Sequence, residues 1–287
     1  MASFDPPLRA VAFDLDGTLT DSAPGICATV AAVLREAGHA APDDELVRSM
    51  IGLPLRDVIA RCGPAASEAD VDRFVERYKA VYTETVIPTT LLFPRAWSLL
   101  RACRDAGLKI GLVTAKSTDV AIQVLGRCRV RGLFDSIVGG DRAERPKPYP
   151  DLLHVALGEL GVAPDQTLLV GDGDHDIRMG ATAGARTCGV AWGVHAAERL
   201  HAAGAEFVVH SVAELRALIL PTPVPMPGVE NRARGGGDGR RRVHSARPVG
   251  PQAGKVAGKA TAGEAGTARA AARRWADDVV DTTVADR

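Results

Sequence analysis

The chain has 287 residues, of which 46% are apolar and 24% charged, and its 35 basic residues balance its 35 acidic ones, as in an ordinary globular protein of one or two domains. No run approaches the roughly 20 apolar residues of a membrane span and the N-terminus lacks the basic and apolar regions of a secretory leader, so we expect a cytoplasmic protein. The five cysteines are an odd number without a CxxC pair, which argues against a disulfide framework or a structural zinc site.

A short apolar run predicts a first strand from Ala10 to Phe13. Two carboxylates, Asp14 and Asp16, follow it directly, ahead of the flexible Gly17. While the chain stays extended, positions 14 and 16 point to the same side. Because ligands bind at the carboxyl edge of open parallel sheets, the pattern predicts that both carboxylates face a site at that edge.

Residues 22–88 carry helical patterns but no convincing strand. The predicted helices are Gly25 to Ala37, Asp43 to Met50, Leu55 to Cys62 and Ser67 to Val86. Phe74, Tyr78 and Tyr82 fall at helical spacing in the last of them, and we interpret these aromatic residues as core. The stretch therefore predicts an all-helical insert.

From Lys109 onward, short apolar runs alternate with helical patterns, which predicts βαβ units and a parallel sheet. The predicted strands are Lys109 to Val113, Ser136 to Val138, Thr167 to Val170, Thr187 to Ala191 and Phe207 to Val209. The predicted helices are Pro94 to Ala106, Thr118 to Arg127, Pro150 to Leu160, Asp176 to Gly184, Ala196 to Ala203 and Val212 to Leu218. The runs are continuous rather than alternating, as in strands that are covered on both faces.

Residues that carry chemistry follow two of these strands. Thr114 closes the run that ends at residue 113, and Asp172 and Asp176 follow the run that ends at residue 170. Lys147 lies between two prolines, which restrict its backbone. Two acidic clusters at one edge of a sheet repel each other, and a bound hard cation such as Mg²⁺ relieves that repulsion.

The C-terminal segment from Pro221 to Arg287 differs from the rest of the chain. It has no Leu, Ile or Phe, and its 12 basic residues outnumber its 7 acidic ones. Such a composition is typical of disorder, so we expect the folded part to end near Leu220. A binding role of this basic tail, through phosphate contacts to nucleic acid or to another acidic partner, stays open as an alternative of a different class, although a single Trp275 for stacking argues against nucleic acid.

Four segments of the chain, in their order along it, resemble the motifs of the haloacid dehalogenase-like (HAD) superfamily, and in particular those of its phosphoglycolate phosphatase-like members. The matching segments are Asp14 to Ser22, Val113-Thr114, Lys147 to Asp151 and Gly171 to Asp176. The resemblance covers nearly all of residues 9–193. It implies an α/β fold: a Rossmann-like parallel-sheet core over 1–21 and 89–220, an inserted all-helical cap over 22–88 and a disordered C-terminal tail over 221–287.

The resemblance implies four catalytic residues. Asp14 would be the nucleophile that forms an aspartyl-phosphate, and Asp16 the acid/base that protonates the leaving oxygen and then activates water. Thr114 would donate a hydrogen bond to a phosphoryl oxygen, and Lys147 would offset the phosphoryl charge and hold Asp14 in place.

The resemblance also implies a Mg²⁺ cofactor. Its ligands would be the Asp14 carboxylate, the backbone carbonyl of Asp16 and Asp172, with Asp176 as a supporting ligand. Such an ion would neutralise the repulsion between a carboxylate nucleophile and a phosphate.

An aspartate at position 16 favours transfer or hydrolysis of a phosphomonoester over dehalogenation within this family. The expected substrate is a small phosphorylated metabolite, with phosphoglycolate favoured; a phosphomutase of the β-phosphoglucomutase type is the alternative. Gly17, Ala115 and Arg56 are the candidate substrate contacts, Arg56 as a clamp for a carboxylate. We expect no membrane partner, and a monomer or a homodimer.

Overall fold

The computed structural model describes residues 4–63 and 67–220. Within these residues, six strands form one sheet in which every neighbouring pair is parallel. The strands are β1 (Ala10–Phe13), β2 (Lys109–Val113), β3 (Ser136–Val138), β4 (Thr167–Gly171), β5 (Arg186–Val190) and β6 (Phe207–Val209). The predicted α/β class with a parallel sheet is confirmed.

The order of the strands, β3-β2-β1-β4-β5-β6, places the first strand at the centre of the sheet. β1 pairs with β2 on one side and with β4 on the other, so that Phe13 lies opposite Leu112 and Val170. The chain winds outward to β3 and then returns past β1 to β4. Ligand crevices form at such a reversal, beyond the carboxyl ends of the strands. The residues that directly follow β1, β2 and β4 therefore share one edge.

The predicted insert, residues 22–88, lies between β1 and β2. Its described residues contain helices and no strand. The helices are α1 (Ala23–Glu36), α2 (Asp44–Ser49), α3 (Leu55–Cys62) and α4 (Glu68–Val81). A capping box fixes the start of α4: the Ser67 hydroxyl accepts from the Asp70 N–H, and the Asp70 carboxylate accepts from the Ser67 N–H. The division into core, cap and tail stays a prediction.

The last predicted helix of the insert is wrong in one respect, because the α form stops short of Val86. Residues Tyr82–Val86 form a π-helical turn, and Ile87–Thr89 form a 3-10 turn. Pro88 has no N–H to donate, so the α-helical ladder cannot continue through it. Single π-helical turns often occur at functional sites, and Tyr82 opens this one.

Helices cover both faces of the sheet, as the continuous apolar strands predict. The remaining helices are α5 (Ala96–Asp105), α6 (Thr118–Arg127), α7 (Asp151–Leu160), α8 (Asp174–Thr182), α9 (Ala197–Ala202) and α10 (Val212–Ile219). Val11 and Phe13 pack with α5, α6 and α10 in one core cluster. Ala12 packs with α7 and α8 in a second cluster. Both faces of the sheet are thus covered by helices.

Several other predictions concern the chain as a whole. All five cysteines are free thiols. No helix in residues 4–63 and 67–220 is long and apolar enough to cross a membrane. The predicted C-terminal tail, residues 221–287, lies outside the described residues.

Candidate active site

Asp14 is the first residue beyond β1 and lies at the centre of the predicted edge. Its backbone N–H donates to the Val170 carbonyl at 2.9 Å, which continues the pairing with β4 by one residue. Its side chain is buried. The Asp14 carboxylate therefore lies directly beyond the carboxyl end of β1, between the ends of β2 and β4.

The chain turns sharply at Gly17, and this turn brings backbone against a second carboxylate. Gly17 has a φ of +83°, and a Cβ there would lie 2.1 Å from Asp172 Oδ2. The adjacent Thr18 hydroxyl donates to Asp172 Oδ1 at 3.0 Å, and the Val194 N–H donates to Asp172 Oδ2 at 2.7 Å. Asp172 is thus fixed by two separate segments of the chain, the turn at Gly17-Thr18 and the loop at Val194.

Gly17→Ala tests whether this close approach matters. We expect the added methyl to displace Asp172 and to lower kcat by about 100-fold, the order that a 1 Å misplacement costs. Gly107→Ala is the matched control, because Gly107 has a φ of +80° and nothing within 4 Å of its Cβ position. Both variants should lose about 1 kcal/mol from left-handed strain, and only Gly17→Ala should lose activity. Equal activities would mean that the Gly17–Asp172 contact has no catalytic consequence.

Lys147 reaches the same edge from the loop before α7. Its Nζ lies 2.6 Å from Asp14 Oδ1, 2.6 Å from Asp176 Oδ1 and 3.0 Å from the Val113 carbonyl oxygen. The side chain has no exposed surface. Burial opposes its charge, but the two carboxylates outweigh burial and raise the pKa of Lys147. The ammonium therefore stays charged and holds Asp14 and Asp176 at a fixed separation.

Asp14, Asp172 and Asp176 form a buried acidic triad, in which one carboxylate oxygen from each lies within 4.8 Å of the others. Burial, more than the neighbouring carboxylates, raises the pKa of Asp14 to about 6 and that of Asp172 to about 7. Burial also acts on Asp176, but Lys147 outweighs it and lowers that pKa. One ammonium cannot compensate three buried carboxylates. This donor set fits a hard divalent cation that prefers oxygen ligands.

Thr114 stands at the end of β2, beside this triad. Its backbone N–H donates to the Val138 carbonyl at 3.0 Å, and its hydroxyl accepts from the Lys116 N–H at 3.3 Å. The residue is buried. The structure thus brings the ends of β1, β2 and β4 to one edge of the sheet, and Lys147 contacts two of these strand ends at Asp14 and Val113.

The chain is similar in sequence to known proteins. Residues 11–190 match the family model described as haloacid dehalogenase-like hydrolase. The chain belongs to this family.

Two relatives and one solved structure illustrate what this HAD-like hydrolase is similar to. It is 33% identical to the probable phosphatase IndB of Dickeya dadantii, over 71% of this chain and 90% of that one. It is 32% identical to the phosphoglycolate phosphatase of Yersinia pseudotuberculosis, over 72% and 91%. The β-phosphoglucomutase of Clostridium difficile has 25% identity and a TM-score of 0.65, over 72% of this chain and 93% of that one.

Asp16 of the HAD-like hydrolase faces a group that the sequence prediction missed. The Ser22 hydroxyl donates to Asp16 Oδ1, and Lys116 Nζ lies 3.1 Å from Asp16 Oδ2. The same ammonium lies 4.2 Å from the centre of the Tyr82 ring. Burial opposes the charge on Lys116, but Asp16 outweighs it and raises the pKa of the lysine. Lys116 follows Thr114 by two residues, and that spacing is the signal that could have found it.

Two histidines without a predicted role lie beside the triad. His175 Nε2 is 3.5 Å from Asp176 Oδ2, and His195 Nδ1 accepts from the Asp174 N–H at 3.2 Å. A Cβ at Gly52, in the turn after α2, would lie 2.1 Å from His175 Nε2. The backbone of the insert therefore packs directly against His175 at Gly52.

The three candidate substrate contacts end up in different surroundings. Ala115 lines a cavity beside Asp16, and Gly17 lies against Asp172. Arg56 pairs with Asp72 across α3 and α4, and 45% of its side chain is exposed. The structure does not bring Arg56 into the cavity, although its neighbour Leu55 lines the cavity wall.

Proposed function

We propose that the HAD-like hydrolase is a Mg²⁺-dependent phosphomonoester hydrolase that works through an aspartyl-phosphate on Asp14. The observation that carries this proposal is the bridge from Lys147 to both Asp14 and Asp176 inside a buried acidic triad. A nucleophilic carboxylate has to approach an anionic phosphate, and a fixed ammonium beside both lowers the electrostatic cost. A carboxylate with only a structural role does not approach a phosphate and would not require this ammonium.

Each of the four proposed catalytic residues has a separate role in the reaction. The Asp14 carboxylate attacks phosphorus in line with the leaving oxygen, which splits one hard displacement into two easier ones. Asp16 gives a proton to the leaving oxygen and afterwards takes one from the water that hydrolyses the aspartyl-phosphate. Thr114 donates a hydrogen bond to a phosphoryl oxygen, and Lys147 offsets the charge that develops on the phosphoryl group while its three N–H donors hold Asp14, Asp176 and the Val113 carbonyl.

Asp14 and Asp172, together with the Asp16 backbone carbonyl, are the proposed ligands of Mg²⁺, with Asp176 in support. When bound, the ion supplies positive charge that offsets repulsion between the nucleophile and the phosphate. The raised pKa values of Asp14 and Asp172 support this assignment. The two buried carboxylates resist ionisation, and a bound cation would stabilise both as anions.

The helical stretch 22–88 is the proposed cap over this site. Its side chains form one wall of the cavity beside Asp16, and the loop after β2 forms the other. A cap in this position excludes water and contacts the part of the substrate beyond the phosphate. The names of the relatives favour a small phosphorylated metabolite, with phosphoglycolate as the first substrate to test.

The proposal is tested by phosphate release together with chemical trapping. We expect the purified chain to release phosphate from phosphoglycolate and from a generic aryl phosphate with Mg²⁺, and to lose that activity in excess EDTA. Acid quenching during turnover should leave phosphate attached to the peptide that contains Asp14, detected by mass spectrometry. Full turnover in EDTA would contradict the metal, and phosphate on another residue would contradict the nucleophile.

A phosphomutase is the second candidate, because the fold matches that of a β-phosphoglucomutase. A mutase returns the phosphate from the aspartate to a sugar rather than to water. Incubation with β-glucose 1-phosphate and a trace of the 1,6-bisphosphate distinguishes the two functions. Isomerisation that is faster than phosphate release would favour the mutase.

A further inference from the structure

A cavity of about 240 Å³ opens beside Asp16, and none of the three triad carboxylates lines it. Its wall is mostly hydrocarbon, from residues such as Ile26, Met50, Leu55 and Val58. Apolar side chains around a few convergent polar groups are the usual composition of a small-molecule site. The cavity is thus the place where the leaving group of a substrate would lie once its phosphate is on Asp14.

Two polar groups stand together at the wall of this cavity. Lys116 forms a salt bridge with Asp16, and 12% of its side chain is exposed. The Tyr82 hydroxyl is buried, and its polar contact is with the same ammonium. An ammonium at the wall of an apolar cavity attracts an anion more strongly than it would in water. Because part of the Lys116 side chain stays accessible, a ligand with an anionic, hydrogen-bonding group can join this site.

The position of Lys116 limits where that anion can lie. Both oxygens of Asp16 are already in contact, one with Ser22 and the other with Lys116. When Asp16 turns to the leaving oxygen of a substrate, it gives up one of these contacts. Because Lys116 Nζ is 3.1 Å from Asp16 Oδ2, an anion attached to the carbon that bears the leaving oxygen comes within reach of this ammonium.

We propose that Lys116 is a specificity residue that binds the carboxylate of a 2-phosphorylated 2-hydroxy acid, whose apolar substituent on carbon 2 fills the cavity. This inference rests on the proposed function and deepens it by naming the substrate class. The single methylene of glycolate leaves most of the hydrocarbon wall without contact, whereas a branched or aromatic substituent covers it. Each methylene buried there improves recognition by roughly 10-fold or more.

The test compares three esters: phosphoglycolate, 2-phosphonooxy-4-methylpentanoate and 3-methylbutyl phosphate, the last being the second ester without its carboxylate. For the unaltered chain, we expect kcat/KM to be at least about 10-fold higher on the branched acid than on phosphoglycolate. Loss of the carboxylate should lower kcat/KM by about 100-fold, because Lys116 then has no anion to pair with once Asp16 turns to the leaving oxygen. Equal values on the first two esters would overturn the role of the cavity.

Lys116→Met keeps an unbranched side chain, shorter by one atom, and removes its charge. It should lower kcat/KM by about 100-fold on the two carboxylate esters, mainly through KM, and by less than about 3-fold on 3-methylbutyl phosphate. Lys109→Met is the matched control, since Lys109 starts β2 at the opposite edge of the sheet and donates to the Leu160 carbonyl. It should leave all three values unchanged.

Two outcomes would overturn the assignment of Lys116. An equal fall on all three esters would mean that the lysine acts only by holding Asp16. A selective loss on the carboxylate esters in Arg56→Met, with Lys116→Met unaffected, would move the carboxylate clamp to Arg56. Failure of the proposed function itself is distinguishable, because the unaltered chain would then release no phosphate from any of the three esters.

Discussion

Asp14→Asn should abolish turnover, with a fall in kcat of about 10⁴-fold or more, the scale on which removal of a nucleophile acts in other enzymes. The amide is nearly isosteric, and its oxygen can still accept from Lys147, which lies 2.6 Å from Asp14 Oδ1. Its nitrogen lone pair is delocalised and does not attack phosphorus. The variant therefore keeps the packing of the site and loses only the bond-forming group.

Steady-state phosphate release and the melting temperature together check this expectation. Asp165→Asn is a suitable control, because Asp165 is exposed in the turn before β4, at the opposite edge of the sheet. The control should match the unaltered chain in both measurements. A fall in kcat of less than about 10-fold in Asp14→Asn would assign the attack on phosphorus to a different carboxylate.

Much of this site could be predicted from the positions in the sequence at which the strands end. β1, β2, β3 and β6 have the bounds that their apolar runs predict. Parallel strands bring their carboxyl ends to one edge, so Asp14, Thr114 and Asp172 were expected at the same edge of the sheet. The strand order, which places β1 between β2 and β4, makes them neighbours there. Lys147 follows no strand directly, and its position between prolines does not by itself predict contact with Asp14. The family resemblance supplied that expectation.

The groups around the leaving-group cavity could not be predicted in the same way. Lys116 lies in the loop after β2, where its direction depends on how the chain leaves the strand. Tyr82 reads as one more core aromatic at helical spacing, but the α form ends there and a π-helical turn begins. That turn changes the angular spacing of the residues after it. Contacts between the insert and the sheet edge are tertiary, and periodicity carries no information about them.

Without metal, the unaltered chain should lose stability as the pH rises, and Asp172→Asn should not show this loss. The native pKa of Asp172 is about 7, against an ordinary value of 3.8. Between these values the unfolded chain ionises first, so the metal-free native state loses stability as the pH rises from 3.8 to about 7 and gains none back above it. At about 1.4 kcal/mol per unit, the cost at pH 8 has an upper limit of about 4 kcal/mol.

Asparagine removes this cost while it keeps the shape of the site. Its amide oxygen can accept from the Val194 N–H and its amide nitrogen can donate to the Thr18 hydroxyl, which replaces the two contacts of the carboxylate. In EDTA at pH 8, Asp172→Asn should therefore melt several degrees above the unaltered chain. At pH 4 the two should melt together.

Excess Mg²⁺ should invert the order at pH 8. A ligand at 1,000 times its Kd stabilises a native state by about 4.1 kcal/mol, so Mg²⁺ well above that concentration offsets the whole cost of the buried charge. Only the chain with Asp172 keeps the proposed ligand set for the ion. Asp165→Asn should follow the unaltered chain under every condition. If Asp172→Asn melts below the unaltered chain in EDTA at pH 8, its carboxylate stabilises the fold without metal, and the acidic triad is held together by Lys147 alone. A crossing of the two melting temperatures on addition of Mg²⁺ is the result that ties the buried charge of this site to a cation, independently of any turnover measurement.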